Sequence, residues 1–175
     1  MTAYNLLKPD SSTQSWRKLL QVIDEMNLGD WLIVSAGEID CRIHIYYQAQ
    51  KQKESVTTTI MKTSIRYGAA LLAARLLVRG RLGVLGIPPP GDEPANVNYP
   101  PACQLETRLS IYRSFNFHMK EFCRLHEINY LDVYNLAVDE LGYFKEGYAE
   151  ETAPNPAVHL NREVMRPIVL KLLQE

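Results

Sequence analysis

Trp31-Leu-Ile-Val-Ser-Ala-Gly37 is a short, uninterrupted apolar run closed by a glycine. A strand with no polar alternation is covered on both faces, and such strands belong to parallel sheets packed between helices. The sequence on either side fits that setting. Upstream, Ser12 to Met26 reads as an amphipathic helix, with Trp16, Leu19, Leu20, Ile23 and Met26 at spacings of three and four. Ser11, Ser12 or Thr13 offers a cap at its start, and Gly29 follows its end. Downstream, about Gln48 to Val78 reads as one long helix or two joined ones, with an apolar stripe through Ile60, Ile65, Ala69, Leu72 and Leu76.

A second apolar strand, Arg81-Leu-Gly-Val-Leu-Gly-Ile87, stops at Pro88-Pro-Pro-Gly91, because proline has no amide donor and cannot extend a ladder or a helix. The stretch from Pro88 to Pro101 holds six of the ten prolines and reads as a long loop. A third helix is predicted over about Gln104 to His126, then a strand over Asn129-Tyr-Leu-Asp-Val-Tyr-Asn135. A loop rich in Glu, Gly and Pro spans Gly142 to Pro156, and a last helix begins near Asn161. Strands alternating with long helices imply βαβ units, an α/β fold and one parallel sheet. The 175 residues suit a single domain over residues 1–175.

Composition narrows the function. The formal net charge of −1 supplies no basic field for nucleic acid or an anionic membrane. The longest apolar run, near Ala69 to Val78, is broken by Arg75 and is too short to span a bilayer. No apolar signal-peptide core occupies Met1 to Asp10. Cys41, Cys103 and Cys123 are odd in number and too few for a disulfide framework, so a reducing, cytoplasmic setting is expected. Cys41 and Cys123 each precede a histidine by three, His44 and His126, but no Cys-x-x-Cys pair accompanies them. They read as core cysteines rather than metal ligands.

Ligand sites in parallel sheets form at the carboxyl ends of the strands. Gly37-Glu38-Ile39-Asp40-Cys41-Arg42 follows the first strand directly, with His44 two residues on. Gly37 permits a tight turn and a close backbone approach. Glu38, Asp40 and Arg42 bring two carboxylates and a guanidinium to the strand end, and such charges gather there only with partners. They suit a polar ligand, or an Asp–Arg pair that ties one loop to another. His159, in Ala157-Val-His-Leu-Asn161, is a candidate general base, or a histidine that packs at a helix entry.

The run Val34-Ser-Ala-Gly-Glu-Ile-Asp-Cys-Arg42 resembles a subgroup of SGNH (GDSL-type) hydrolase-like proteins with a Gly-Glu-Ile-Asp-Cys-Arg signature. The order of elements agrees, including the strand ending in Leu85-Gly-Ile-Pro-Pro-Pro90 and the Val-His-Leu entry to the last helix. The resemblance covers about Thr2 to the C-terminus. It implies a three-layer α/β/α, flavodoxin-like fold and serine-esterase chemistry on an ester such as an acylated carbohydrate. In that superfamily a Gly-Asp-Ser block supplies the nucleophile, a Gly-x-Asn-Asp block an oxyanion donor, and an Asp-x-x-His block the acid and base. Gly37 and Asp40 match the Gly and final Asp of the second block, and His159 matches the catalytic histidine.

Three departures weaken the implied chemistry. Ile39 stands at the oxyanion Asn and has no donor. Pro156 stands at the Asp partner of His159. No Gly-Asp-Ser block occurs, and Asp10-Ser11 follows no strand or glycine. The family's nucleophile strand lies upstream of this signature, so the chain is expected to be shortened at its N-terminus. The Trp31 strand would then form an open sheet edge, inviting a homodimer through that edge. The expected function is therefore either a weak or inactive esterase, with His159 as base and Asp40 and Arg42 organising the catalytic site, or a non-catalytic module binding a small molecule or carbohydrate at Gly37, Glu38, Arg42 and His44. Neither needs a cofactor, and no nucleic acid or membrane partner is expected.

Overall fold

The computed structural model describes residues 2–8, 10–91, 103–150 and 160–174. Helix α1 spans Ser15–Glu25, and strand β1 spans Trp31–Val34. Helix α2, Ile45–Gln52, and helix α3, Val56–Arg75, lead to strand β2, Arg81–Leu85. Helix α4, Leu105–Leu125, leads to strand β3, Asn129–Leu131. A short helix α5, Val133–Ala137, and helix α6, Arg162–Leu172, complete the order. The chain is thus α/β, and among the described residues no helix is long and apolar enough to cross a membrane.

The three strands form one parallel sheet in the order β1-β2-β3. Register pairs Val34 with Val84 and Val84 with Tyr130, so these three share a face. Helices α3 and α4 lie against that face. Tyr67 of α3 donates its hydroxyl to the Val34 carbonyl at 3.4 Å, and Tyr130 donates to Asn116 Oδ1 of α4 at 2.7 Å. Ile23, Val34, Leu71, Val84, Ile111 and Phe115 belong to one buried cluster. The two helices approach closely at Gly68, where a Cβ would lie 2.5 Å from the Phe122 ring.

Several local expectations change. The predicted cap of α1 by Ser11, Ser12 or Thr13 does not form. Gln14 takes the cap position at φ 47° without a side-chain bond, while the Thr13 and Ser15 hydroxyls bond each other at 2.7 Å. The stretch after Gln48 is two helices, separated where Lys53 turns left-handed at φ 55° and Ser55 Oγ accepts the Thr58 amide. The third strand stops at Leu131 rather than Asn135, because Asp132 caps α5 by accepting the Asn135 amide at 3.2 Å.

Candidate functional site

The signature after β1 is helical rather than a loop. Gly37 turns the chain at φ 116°, Glu38 and Ile39 are already helical, and Asp40–His44 form a π-helical turn that runs into α2. The Cys41 amide donates to the Gly37 carbonyl at 2.9 Å and closes the first turn. Gly37 serves packing as well as turning. A Cβ there would lie 2.8 Å from Ile87 Cδ1 and 2.9 Å from the Phe115 ring.

Helical geometry decides where the charges go. Residues four apart share a face and residues two apart do not. Glu38 and Arg42 therefore point one way, and Asp40 and His44 another. Arg42 Nε sits 2.8 Å from Glu38 Oε1, and Arg42 Nη2 donates to Oε2 at 3.4 Å. Tyr112, from the middle of α4, donates its hydroxyl to Glu38 Oε1 at 3.1 Å. The pair is mostly enclosed, with side-chain exposures of 13% for Arg42 and 25% for Glu38. Burial pushes the Tyr112 phenol well above its usual range, and the Glu38 charge adds to the shift. It remains a protonated donor.

Glu38 also lines a cavity of about 350 Å³ at the carboxyl ends of β1 and β2, with Ser35, Gly37, Ile87, Leu160 and Arg162 among the other walls. A cavity of that size matches the lower range for small-ligand sites. Its wall carries an acceptor, Glu38, and a donor, Arg162. The arrangement can hold a polar ligand by opposed hydrogen bonds. Leu160 and Arg162 arrive because Asn161 caps α6, accepting the Glu163 amide at 3.0 Å and the Val164 amide at 3.4 Å.

Of the residues expected from sequence, Gly37 and Glu38 line the cavity and Arg42 braces Glu38. Asp40 and His44 do not line it; they face a separate chamber with Tyr4 and Thr63. Asp40 is wholly buried and accepts the Ala3 amide at 2.6 Å, so it secures the N-terminal segment instead of organising the strand end. Cys41, inside the signature, is no nucleophile: it is buried, and desolvation followed by the charges of Asp40 and Glu38 pushes its thiol well up. His159 and Pro156 lie outside the described residues, as does most of the proline-rich loop, residues 92–102.

Tyr112, Leu160 and Arg162 were not legible as site residues. Tyr112 carries the spacing of an apolar helix face, and a separation of 74 positions from Glu38 hides the bond between them. A second polar cluster escaped notice too. Asn116 Nδ2 donates to the Ile87 carbonyl at 3.0 Å while its Oδ1 accepts the Ile87 amide at 2.8 Å. This side chain replaces a missing strand partner just where β2 has ended.

The class that fold and cleft define is an α/β protein with a small parallel sheet and a cavity at the strand ends. No protein-family model and no curated protein sequence matches the chain. Among solved structures it is similar to the OSK domain of Drosophila Oskar, at 15% identity and a TM-score of 0.52, covering 86% of this chain and 62% of that one. A further solved structure aligns at 13% identity and a TM-score of 0.58, covering 99% of this chain and 72% of the other. The chain thus spans less than two thirds of the OSK-domain chain, and at these identities the likeness is one of fold.

Proposed function

We propose that this chain is an SGNH-hydrolase-like, flavodoxin-type domain that binds a polar, hydroxyl-bearing ligand such as a sugar in the cleft at the ends of β1 and β2. The carrying observation is the Glu38 carboxylate, held by Arg42 and Tyr112 at the wall of a 350 Å³ cavity. A carboxylate fixed by two partners keeps free lone pairs, and its geometry is set before ligand arrives. Sugar hydroxyls would donate to it and accept from Arg162. Calorimetric titration with a panel of mono- and disaccharides tests this. Saturable heat is expected from at least one, and Glu38→Gln or Arg42→Ala should abolish it. Absence of heat across the panel, or heat unchanged in both variants, would refute the proposal.

The esterase reading keeps one supporting observation: a serine, Ser35, lines the cavity. With Ile39 at the oxyanion position, turnover would be weak, since losing one oxyanion donor costs about 10²–10³-fold in rate. Aryl-acetate hydrolysis that His159→Ala and Ser35→Ala both eliminate would favour this reading over simple binding. The same proposal includes self-association through β1, which stands at the edge of the sheet. Light scattering should find a dimer that Ile33→Lys converts to monomer.

A further inference from the structure

The helix that aims Glu38 and Arg42 at the cleft turns Asp40 and His44 into a second space. Tyr4, Asn5, Gln48, Thr59 and Thr63 join them around a chamber of about 140 Å³, which shares no lining residue with the cleft. One wall is the N-terminal segment; the others are the π-helical turn, the start of α2 and the first half of α3. Tyr4 is held in that wall by Arg66, whose guanidinium rests 4.0 Å over its ring.

One buried acceptor in the chamber lacks a donor. Asp40 is wholly buried, and its Oδ2 accepts the Ala3 amide, but among the described residues Oδ1 has no hydrogen-bond partner. Asp40 takes part in none of the ion pairs formed among the described residues. A buried carboxylate oxygen in that state is costly, and native structures normally supply a partner. The neighbouring hydroxyls do not. Thr63 Oγ1 donates to the Thr59 carbonyl at 2.8 Å, and Thr59 Oγ1 donates to Glu54 Oε1 at 2.9 Å. With their hydrogens committed, both oxygens can only accept. The Gln48 carbonyl oxygen is an acceptor as well, already engaged by Gln52.

We propose that this chamber is a binding site for one small monovalent cation, either an ammonium-type ion or a potassium-sized metal ion. One buried carboxylate supplies one negative charge, and threonine oxygens supply neutral ligation, which suits a single positive charge better than two. The space admits an ion of that size together with water. Bound there, the cation completes Oδ1 and bridges α3 to the segment that carries Ala3. Burial raises the proton affinity of Asp40, offset in part by the Ala3 amide, the His44 charge and the Tyr4 amide, so a cation bound there competes with a proton.

The test uses the full chain at constant ionic strength, with tetramethylammonium chloride replaced stepwise by ammonium, methylammonium or potassium chloride. Thermal unfolding and the amide NMR signals of Ala3 and Thr63 are followed. A saturable rise in Tm, with matching shifts at Ala3 and Thr63, is expected from at least one small ion. A response to ammonium and methylammonium alone identifies an N–H donor; a response to potassium identifies a metal ion. Asp40→Asn should not respond, because its amide nitrogen would itself donate to the threonine oxygens. Thr63→Val, which keeps the side-chain shape, should weaken the response about tenfold or more, and it carries the test if Asp40→Asn does not fold. Equal Tm in all four salts, or an undiminished response in Thr63→Val, would overturn the proposal.

Discussion

Gly37→Ala is the perturbation whose cost can be worked most fully from the structure. The backbone at Gly37 has φ 116°, a conformation that residues with a Cβ avoid. Left-handed backbone costs an L-residue about 1–2 kcal/mol. The new methyl would also sit 2.8 Å from Ile87 Cδ1 and 2.9 Å from Phe115 Cε1, both buried and both in the core. Overpacking of this kind costs about 1–3 kcal/mol. The sum is about 2–5 kcal/mol, and at about 2–4 °C per kcal/mol for a chain of this size the Tm should fall by about 4–20 °C. Ile87→Val separates the two causes, because it deletes the Cδ1 atom. Alone it should cost about 0.5–1.5 kcal/mol. Combined with Gly37→Ala it should cost less than the sum, since the clash is partly relieved while the backbone strain and the Phe115 contact persist. Urea unfolding of the wild type, both single variants and the double variant gives the cycle. A Gly37→Ala cost under about 1 kcal/mol, or strict additivity in the double variant, would refute the reasoning.

Asn116→Leu should be among the costliest polar replacements: it strips partners from the Ile87 amide, the Ile87 carbonyl and the Tyr130 hydroxyl. About 2–5 kcal/mol is expected in urea unfolding, since buried orphaned groups cost about 1–3 kcal/mol each and partly relax. Tyr112→Phe keeps the ring and removes one hydroxyl, so its stability loss should be only about 1 kcal/mol. Its effect on sugar affinity should be larger than its effect on Tm, because Glu38 loses a brace; equal affinity in wild type and variant would count against the braced-carboxylate argument. For Asp40 the sign follows from burial, which raises its pKa from the ordinary 3.8. The folded chain then holds a proton that the unfolded chain has lost. This contribution is full below 3.8, declines as pH rises through the raised value, and is gone above it. Unfolding free energies measured across that pH range should show a downward slope that Asp40→Asn removes; an identical slope in the variant would contradict it.

The sequence by itself determined the order of the three strands and of the long helices between them. Each signal was local: the apolar run into Gly37, the apolar stripe of α4 and the prolines after Ile87 all act within a few residues. Backbone sterics and hydrogen-bond capping need no distant partner to operate. Local patterning also brought Glu38 and Arg42 to the strand end. It failed where two local patterns competed. At Asp132 the capping preference of a carboxylate overrode a strand-like run, and after Gly37 a helix began where a loop was expected. That second choice could not be seen in the residue types, yet it sent Asp40 and His44 to one side and Glu38 and Arg42 to the other. Only the tertiary structure brought Tyr112 to Glu38, set Asn116 on Ile87 and laid Ala3 on Asp40. Those bonds join residues 74, 29 and 37 positions apart. They exist because burial leaves each polar group no solvent to turn to, and which partner it finds depends on how the helices pack on the sheet.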